Sequence, residues 1–292
     1  MRAAKIVKKL SKKDLLILQV IEREMKRYEY VPLQRIEELS EMNHEEIVFR
    51  FNRLSKLQLV SQKNTIYTGY SLKVIGYDCL ALSALVDRGM LEAFGKPLGI
   101  GKEADVYDAL TPKGERVAVK FLRIGRPSFK HVRRSRDYAA KRPSKSWFGL
   151  SKLTAKKEYL ALNRLFDAGV AVPMPIAQER HVVVMSAIEG GELHQCKTLP
   201  EPSKILDRII DNIALAFNEA KVVHGDLSEF NILITPTTDI LIIDWGQWID
   251  IKFRKDWRLY LERDINNVLK YFMRKYNERR DLKIIMENII SG

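Results

Sequence analysis

The sequence predicts an α+β protein with two domains, a small N-terminal domain and a larger mixed one. Apolar residues at helical spacing, followed by two short β runs, occupy the first ninety residues. Short apolar runs, which favour strands, then recur at residues 117–119, 182–185, 232–234 and 240–243. A chain of 292 residues suits two such domains, which we expect at residues 1–90 and 91–292.

Charge and cysteine content narrow the classes of partner and compartment. Lys and Arg total 50 against 37 Asp and Glu, and the resulting charge of +13 favours a polyanionic partner, although most exposed cations are simply solvated. Two cysteines, Cys79 and Cys196, are too few for a disulfide framework or a zinc site. No run of about eighteen apolar residues appears, and residues 1–9 lack the apolar core of a signal peptide. We therefore expect a cytoplasmic protein with no membrane partner.

Three helices are predicted in the N-terminal domain. Ser11, with Asp14 three residues later, opens the first helix, and a second short helix follows Pro32. Asn43 with Glu46 caps the third helix. The apolar faces comprise Leu15, Leu18, Ile21 and Met25 in the first helix and Ile47, Phe51, Leu54 and Leu57 in the third.

A β-hairpin is predicted after the third helix, formed by residues 59–63 and 66–72 around Asn64. Three helices and a ribbon make a winged helix-turn-helix. Such a domain can bind nucleic-acid phosphates through its third helix and wing, or can serve as a docking or structural module, and both interpretations stay open. A further helix at about residues 73–88 leads to the second domain. The candidate phosphate-binding cations are Arg50, Arg53, Lys56 and Lys63.

A glycine-containing loop between two predicted strands begins the second domain. Glycines let a backbone approach phosphate oxygens, but two glycines this close together are a weak signal alone, and no Walker A pattern is present. Lys120 ends the strand that follows, and its position resembles that of the lysine that pairs with nucleotide phosphates in kinases. A lone lysine at a strand end is more often surface. The candidate loop residues are Gly99, Gly101, Lys102, Glu103, Ala104, Asp105 and Val106.

A carboxylate partner for Lys120 is predicted on the next helix, which we expect to run from a cap at Thr154 to about Ala168. Glu158 lies on the apolar face of that helix, where a carboxylate needs a cation. Glu179 and Glu189 are competing partners.

The strand at residues 182–185 leads into a glycine pair and has the pattern of a hinge between two lobes. Backbone groups near Ser186 and Ile188 could hydrogen-bond an adenine edge, with Met185 at the back of the pocket. An ordinary core strand followed by a glycine turn explains the same pattern equally well.

A basic segment, residues 126–145, separates Lys120 from the Glu158 helix. It carries eight Lys or Arg and one acid, Asp137, with serines at 128, 135 and 144 and no clear periodicity. It can be a solvated insertion, or it can bind RNA or an acidic partner or undergo self-phosphorylation.

Catalytic chemistry is predicted at residues 224–231, His-Gly-Asp-Leu-Ser-Glu-Phe-Asn. Asp226 and Asn231 have the Asp-x-x-x-x-Asn spacing of kinase catalytic loops, in which the Asp takes a proton from the acceptor and the Asn holds a metal ion. Two short strands around the turn at 235–239 return the chain so that Asp244 lies beside this loop. Alternatively, an Asp and an Asn at this spacing simply satisfy backbone donors of a turn.

In combination, these motifs resemble the RIO atypical protein kinases over nearly the whole chain, and the winged helix points to their second branch. The resemblance implies a trimmed two-lobed kinase fold, with an N-lobe at about residues 91–185 and a C-lobe at about 189–292. It also implies ATP and Mg²⁺ (or Mn²⁺) as cofactors, serine autophosphorylation, and a role in maturing the small ribosomal subunit or its precursor RNA. By motif, Lys120 holds phosphates, Asp226 is the catalytic Asp, and Asn231 and Asp244 bind metal. Some relatives transfer phosphate to the Asp that corresponds to Asp244.

Two positions depart from the pattern of this family. Ala104 stands where many relatives have Ser, which places a hydroxyl contact to phosphate in doubt, and Gly246 stands where this branch often has Pro. Only 48 residues follow Asp244, with two predicted helices (about 255–276 and 282–290) and no long activation segment. Gly225 replaces the Arg that precedes the catalytic Asp in ordinary kinases.

Two alternative functions remain open at this point. One is a small-molecule phosphotransferase of the aminoglycoside-kinase type, which shares the His-Gly-Asp and Ile-Asp-Trp motifs but lacks a winged helix. The other is a nucleic-acid-binding regulator with an inactive kinase-like domain. The presence of Lys120, Asp226, Asn231 and Asp244 argues against the regulator.

Overall fold

The structure is a computed structural model that describes residues 1–64, 66–124 and 147–292. The predicted basic segment at 126–145, including Ser128, therefore lies outside the described residues. The chain forms two compact units. The first comprises Met1–Lys152 with Glu179–Val182, and the second comprises Leu153–Gln178 with Val183–Gly292.

The first unit begins with the predicted winged helix-turn-helix. Its elements are α1 (Arg2–Val7), α2 (Lys12–Glu24), β1 (Val31–Pro32), α3 (Leu33–Ser40), α4 (His44–Lys56), β2 (Val60–Asn64), β3 (Thr68–Leu72) and α5 (Val74–Asp87). The predicted hairpin is confirmed as β2 and β3, and β1 pairs with β3 to make a three-stranded sheet in the order β1-β3-β2. Helix α1 was not predicted, and it packs on α5, where the Cys79 thiol lies 3.8 Å from the Ala3 carbonyl.

Local capping explains where the predicted helices begin. Ser11 and Asp14 form a reciprocal capping box at α2, and the Asn43 side chain accepts a hydrogen bond of 2.9 Å from the Glu46 amide at α4. The apolar faces of these helices meet in a core in which Ile17, Ile21, Ile36, Ile47 and Leu54 are fully buried. Capping and burial therefore agree with the predicted elements of this domain.

Two arginines of α4 have an intramolecular role. Arg50 and Arg53 pair with the buried carboxylate of Asp14 at 3.0 and 3.1 Å, and Arg50 also pairs with Glu46. A buried carboxylate needs such cations, because its charge has lost its water. Among the four candidate phosphate-binding cations, Lys56 and Lys63 are exposed, whereas Arg50 and Arg53 are partly buried.

A ribbon of three antiparallel strands follows within the first unit, formed by β4 (Ala93–Ile100), β5 (Ala104–Leu110) and β6 (Arg116–Leu122). The ribbon is part of a five-stranded sheet. The inward residues Val117, Val119 and Phe121 of β6 are almost completely buried. This ribbon presents the predicted glycine loop as the connection between its first two strands.

The helix that carries Glu158 starts earlier than predicted. It is α6, Trp147–Asp167, so Thr154 lies within the helix and the prediction of a cap at Thr154 is wrong. The additional turns are stabilised by aromatic packing, since Phe148 stacks on Tyr77 of α5 and Trp147 meets the same ring edge-on. Tyr77 is about seventy residues away in sequence, so the local pattern around residue 147 does not indicate that the helix starts there.

The remaining elements surround the catalytic motifs. They are β7 (Pro175–Glu179), β8 (Val182–Ser186), β9 (Gly191–Glu192), α7 (Pro202–Asn218), β10 (Val222–Val223), β11 (Ile232–Ile234), β12 (Ile240–Ile242), β13 (Ile249–Asp250), α8 (Trp257–Tyr276) and α9 (Leu282–Ser291). Strands β12, β11 and β9 form one antiparallel sheet, and β10 pairs with β13. Across the described ranges, no helix has the length and apolar character needed to cross a membrane.

Replacing Asp14 with Asn should destabilise the protein by about 3 kcal/mol, because it leaves two arginines without their shared buried carboxylate. The matched control is Glu38→Gln, which breaks the exposed pair with Arg35 at 3.0 Å. We expect the control to cost less than about 1 kcal/mol. Denaturant unfolding of both variants measures the difference, and equal effects would show that the Asp14 contacts add nothing beyond a surface ion pair.

Candidate active site

The glycine loop of the first unit is a tight turn between β4 and β5. The Gly101 amide donates a hydrogen bond of 2.8 Å to the Ala104 carbonyl, and Gly99 pairs with Val106 across the ribbon. A Cβ atom at Gly101 would lie 3.2 Å from the Ala104 oxygen, which is tighter than ordinary packing. The turn therefore favours glycine at 101 and leaves the backbone of the loop open to a ligand.

Lys120 lies directly beside this loop. It is paired with Val106 in the register of β5 and β6, and it is only 7% exposed. A lysine is rarely buried to this extent unless its charge is compensated. The pairing of β5 with β6 thus places Lys120 beside the glycine loop.

The candidate partners of Lys120 differ in their surroundings. Glu158, on α6 in the second unit, is 1% exposed. Glu179 is occupied by Arg88 at 3.4 Å and by Arg180 at 2.7 Å, and Glu189 is exposed. The assignment of Glu158 as the partner of Lys120 stays a prediction, and the engagement of Glu179 weakens one of its competitors.

The predicted catalytic loop, residues 224–231, lies in the second unit and is anchored by His224. Its Nε2 lies 3.0 Å from the Ile243 carbonyl, and its Nδ1 lies 3.3 Å from the amide of Asp226. These contacts assign the tautomer, because Nδ1 must accept from the amide and Nε2–H must then donate to the carbonyl. The buried ring also packs on Trp245 at 4.5 Å. His224 therefore ties the loop at 224–231 to the strand end that carries Asp244.

Asn231 and Asp244 flank the β11–β12 hairpin, and the Ile243 amide donates a hydrogen bond of 2.9 Å to the Asn231 carbonyl. The Asn231 side chain donates a hydrogen bond of 2.8 Å to the Asp226 carbonyl, which orients its Oδ1 as an acceptor. Asp244 is exposed and has φ +66°, an uncommon conformation for a residue other than glycine. A Cβ atom at Gly246 would lie 3.8 Å from the Asp244 Oδ1 and 4.0 Å from the Glu158 Oε2, so both carboxylates border Gly246.

The candidate metal ligands of this site are the amide oxygen of Asn231 and the carboxylate of Asp244. Within the described ranges, no group of three or more His, Cys, Asp and Glu side chains could hold a metal ion. An amide oxygen and a carboxylate are nevertheless suitable for Mg²⁺, which keeps several waters and takes further oxygens from phosphates. Asn231 and Asp244 therefore fit a metal ion that arrives with a nucleotide.

Gly225 cannot be replaced by the arginine of ordinary kinases. Its φ is +82°, and a Cβ atom would lie 2.7 Å from the Gln247 carbonyl oxygen. The Gly225 backbone also borders a cavity of about 370 Å³. The cavity is lined by Lys157, Gly225, Gln247, Trp248, Ile249, Asp250, Arg254 and Tyr260.

Asp264 of α8 is a site residue that the sequence analysis missed. Its carboxylate, 1% exposed, accepts hydrogen bonds from the Gly225 amide at 2.7 Å and the Leu227 amide at 3.1 Å. Burial raises the pKa of this carboxyl to about 6, although the two amide hydrogen bonds oppose the rise. The sequence does carry a signal for this residue. Asp264 lies between Leu261 and Val268 on the apolar face of its helix, where a carboxylate is expected to be buried.

The predicted hinge has a specific pattern of hydrogen bonds. Met185 is 8% exposed. The Ser186 amide donates to the Met174 carbonyl at 2.9 Å, and the Ser186 hydroxyl accepts from the Met174 amide at 2.9 Å. The amide and hydroxyl of Ser186 are therefore engaged by Met174, and the binding of an adenine edge by Ser186 and Ile188 stays a prediction.

A lysine at a strand end, an Asp-x-x-x-x-Asn loop and a following Asp are together typical of enzymes that transfer phosphoryl groups. The family model described as RIO domain matches residues 105–285, and the model described as Rio2, N-terminal, matches residues 7–88. The chain belongs to the RIO family of atypical serine/threonine protein kinases, in its Rio2 branch.

Individual relatives agree with this family. The RIO-type serine/threonine-protein kinase Rio2 of Methanocaldococcus jannaschii is 38% identical, over 91% of this chain and 98% of that protein. The serine/threonine-protein kinase rio2 of Schizosaccharomyces pombe is 32% identical, over 95% of this chain and 80% of that protein. The crystal structure of the Rio2 kinase–ADP/Mg²⁺–phosphoaspartate complex from Chaetomium thermophilum is similar, with a TM-score of 0.85 and 30% identity over 97% of this chain and 88% of that one.

Replacing Asp264 with Asn should lower kcat by roughly tenfold, because an amide can accept from only one of the two loop amides and turns its own N–H toward the other. Nucleotide affinity should change little, since no proposed ligand residue is removed. Steady-state ATP turnover, with a separate measurement of ADP binding, distinguishes the two effects. Loss of nucleotide binding with an unchanged kcat would contradict this role.

The pH dependence should follow the same carboxylate. Only the ionised form accepts both amides, so kcat should rise as the pH increases through about 6. The folded-state pKa lies above the ordinary value of 3.8, so the stability that this group contributes is present at low pH and is lost as the pH rises through about 6. Asp264→Asn should remove both dependences. A rate step that persists near pH 6 in the variant would assign the titration to another group.

Proposed function

We propose that this protein is an ATP- and Mg²⁺-dependent serine kinase and ATPase that acts in maturing the small ribosomal subunit. The observation that carries the proposal is the arrangement of Asp226, Asn231 and Asp244 around the loop that His224 anchors, together with the family's ADP/Mg²⁺ complex. The family also favours this function over an aminoglycoside-type phosphotransferase.

The nucleotide would be held by residues that fit its chemistry. The backbone turn at 99–106 and the buried Lys120 suit phosphate oxygens, with Glu158 as the proposed partner of the lysine. Ala104 provides no hydroxyl, so the contacts of this loop would come from its backbone and from Lys102. The Ser186 carbonyl and Ile188 amide, with Met185 beside them, suit an adenine edge.

The metal site would consist of Asn231 and Asp244, and a bound Mg²⁺ would neutralise the charge that develops on the phosphates. Asp226, which is exposed in the loop, would accept the proton of an attacking serine hydroxyl or water. Asp244 would also act as a nucleophile. Its carboxylate oxygen would bond to the γ-phosphorus of ATP as the bond from that phosphorus to the β–γ bridging oxygen breaks and ADP leaves, and water would then hydrolyse the phosphoaspartate.

The organisation of the chain into domains is part of the proposal. We place the winged helix and its linker helix at 1–90 and the RIO domain at 91–292, with lobes at about 91–185 and 189–292. The two family matches, which end at 88 and begin at 105, support a boundary near 90. The two compact units do not follow this boundary, since the first unit includes Met1–Lys152 and Glu179–Val182.

The ribosomal partner and the cytoplasmic location complete the proposal. Small ribosomal subunits or their precursor RNA match the net charge of +13. A reducing compartment agrees with two free cysteines, Cys79 and Cys196. Cosedimentation with small ribosomal subunits, with and without ATP, tests this assignment, and the absence of any ATP-sensitive association would argue against it.

Replacing Asp244 with Asn should abolish Mg²⁺-dependent nucleotide binding and any hydroxylamine-sensitive label from labelled ATP. Replacing Asp226 with Asn should preserve nucleotide binding and lower turnover by roughly a hundredfold, the scale of a general base. Asp239→Asn, at an exposed position in the β11–β12 turn, is the matched control and should leave both properties intact. Equal loss of nucleotide binding in the Asp226 and Asp244 variants would contradict their separate roles.

Self-labelling is a separate prediction. With labelled ATP, the wild-type protein should label itself, with acid-stable label on a serine such as Ser128, more readily than it labels unrelated peptides.

The basic segment gives a separate prediction for RNA binding. If about six of its cations contact phosphates of an irregular or single-stranded RNA, log affinity should fall with log salt at a slope of roughly −4. Deleting residues 126–145 should flatten this slope. An unchanged slope in filter-binding titrations would assign these charges to solvated surface.

A further inference from the structure

A cluster of buried charges lies within the first unit. We call it the Arg123 cluster, and it comprises Arg123, Asp78, Asp105 and His181. Arg123 donates to both carboxylate oxygens of Asp78, at 2.7 and 2.9 Å, and to Asp105 at 3.1 Å. The Nε2 atom of His181 lies 2.9 Å from Asp78 and 3.1 Å from Arg123. All four residues are at most 5% exposed.

The chemistry of the cluster requires a fixed geometry. Burial alone would raise the pKa of the Asp78 carboxyl, but hydrogen bonds from His181 and Arg123 hold it below its usual range. Burial lowers the pKa of His181, so the imidazole is neutral at pH 7. Its Nδ1 has no hydrogen-bond partner in the described part of the chain, so Nε2–H is the favoured proton position and donates to Asp78. Buried charges of this kind persist only when every member keeps its partners.

The cluster connects the N-terminal helices to the glycine loop. Asp78 lies on α5, the helix that follows the wing, whereas Asp105 is the second residue of β5 and belongs to the loop at 99–106. The Arg123 amide also donates a hydrogen bond of 2.6 Å to the Glu103 carbonyl. Arg123 therefore contacts the loop at Glu103 and at Asp105. Its guanidinium is also bound by Asp78 of α5.

We infer that Asp78 and Arg123 are positioning residues, which set the glycine loop in the conformation that receives nucleotide phosphates. This inference rests on the proposed nucleotide-binding role of the loop. When a loop is already ordered before the ligand binds, binding costs less conformational entropy. The nucleotide therefore binds more tightly to an ordered loop than to a disordered one. The winged-helix part of the chain thus contributes to nucleotide affinity through α5, without itself contacting the ligand.

A second ion pair in the first unit provides the matched control. Arg180, in the β7–β8 turn, forms a bidentate pair with Glu22 of α2 at 2.8 to 3.0 Å. This pair, like the Arg123 cluster, lies within the first unit and involves the N-terminal helices. Arg180 also donates hydrogen bonds to the Leu80 carbonyl at 3.4 Å and to Glu179 at 2.7 Å, and these partners lie outside residues 99–106. If the two ion pairs only stabilise the fold, breaking the Asp78 pair and breaking the Glu22 pair should change nucleotide binding equally.

The experiment compares Asp78→Asn with Glu22→Gln in the full chain. Asp78→Asn should raise the KM for ATP and the Kd for ADP with Mg²⁺ by roughly fivefold to tenfold, while kcat changes less than about twofold. Glu22→Gln should leave all three within about twofold. Amides of residues 99–106 should exchange faster with deuterium in Asp78→Asn and at the wild-type rate in Glu22→Gln. An equal rise of KM in both variants would overturn the inference, because it would show a general effect of weakened packing.

Two further variants keep the test decisive. Arg123→Lys retains the buried positive charge, but a single ammonium cannot reproduce the fork that joins Asp78 to Asp105, so it should show the same KM and exchange changes even if Asp78→Asn fails to fold. Gly101→Val tests the proposed function itself. Weaker nucleotide binding in Gly101→Val, with wild-type KM and exchange in the cluster variants, would overturn the inference alone. Unchanged nucleotide binding in Gly101→Val would overturn both the role of the loop and the inference.

Discussion

The catalytic loop depends on a buried acceptor for two backbone amides. A loop that turns sharply at Gly225 directs the amides of Gly225 and Leu227 into the protein, where water cannot satisfy them. Asp264 supplies both acceptors from a neighbouring helix, and the loop carbonyl of Gly225 is in turn bonded by Arg263. The position of Asp226 follows from these contacts, because it lies between the two amides that Asp264 holds.

Buried carboxylates that accept hydrogen bonds from more than one donor also occur elsewhere in the chain. Asp14 in the winged helix and Asp78 beside the glycine loop are buried carboxylates that several donors share. Each of them lies on a helix and organises groups that are distant in sequence. Such carboxylates are costly if one partner is lost, which makes the surrounding backbone geometry specific rather than merely stable. Precise placement of loops matters more for phosphoryl transfer than additional stability does.

Backbone clearance is a second constraint on the site. Gly190 permits the approach of the strand after the hinge, since a Cβ atom there would lie 2.6 Å from the Ile234 carbonyl oxygen. Gly225 is required both by its positive φ and by the Gln247 carbonyl oxygen. The substitution of glycine for the arginine of ordinary kinases is thus a consequence of how closely the loop packs on the segment after Asp244. Regulation through an arginine at this position is incompatible with that packing.

Local patterns in the sequence predicted the elements of the winged helix, the strand pair around residues 235–239 and the grouping of Asp226, Asn231 and Asp244. These depend on caps, periodicity and spacing within about twenty residues, which the order of amino acids encodes directly. The tertiary structure alone decided the early start of α6 and the bonds of Asp264 to the catalytic loop. It also decided the pairing of Arg123 with Asp78, 45 residues away, and of His181 with Asp78, 103 residues away. A charge finds a distant partner only when the folded chain removes both from water, and no local pattern specifies which carboxylate will be there.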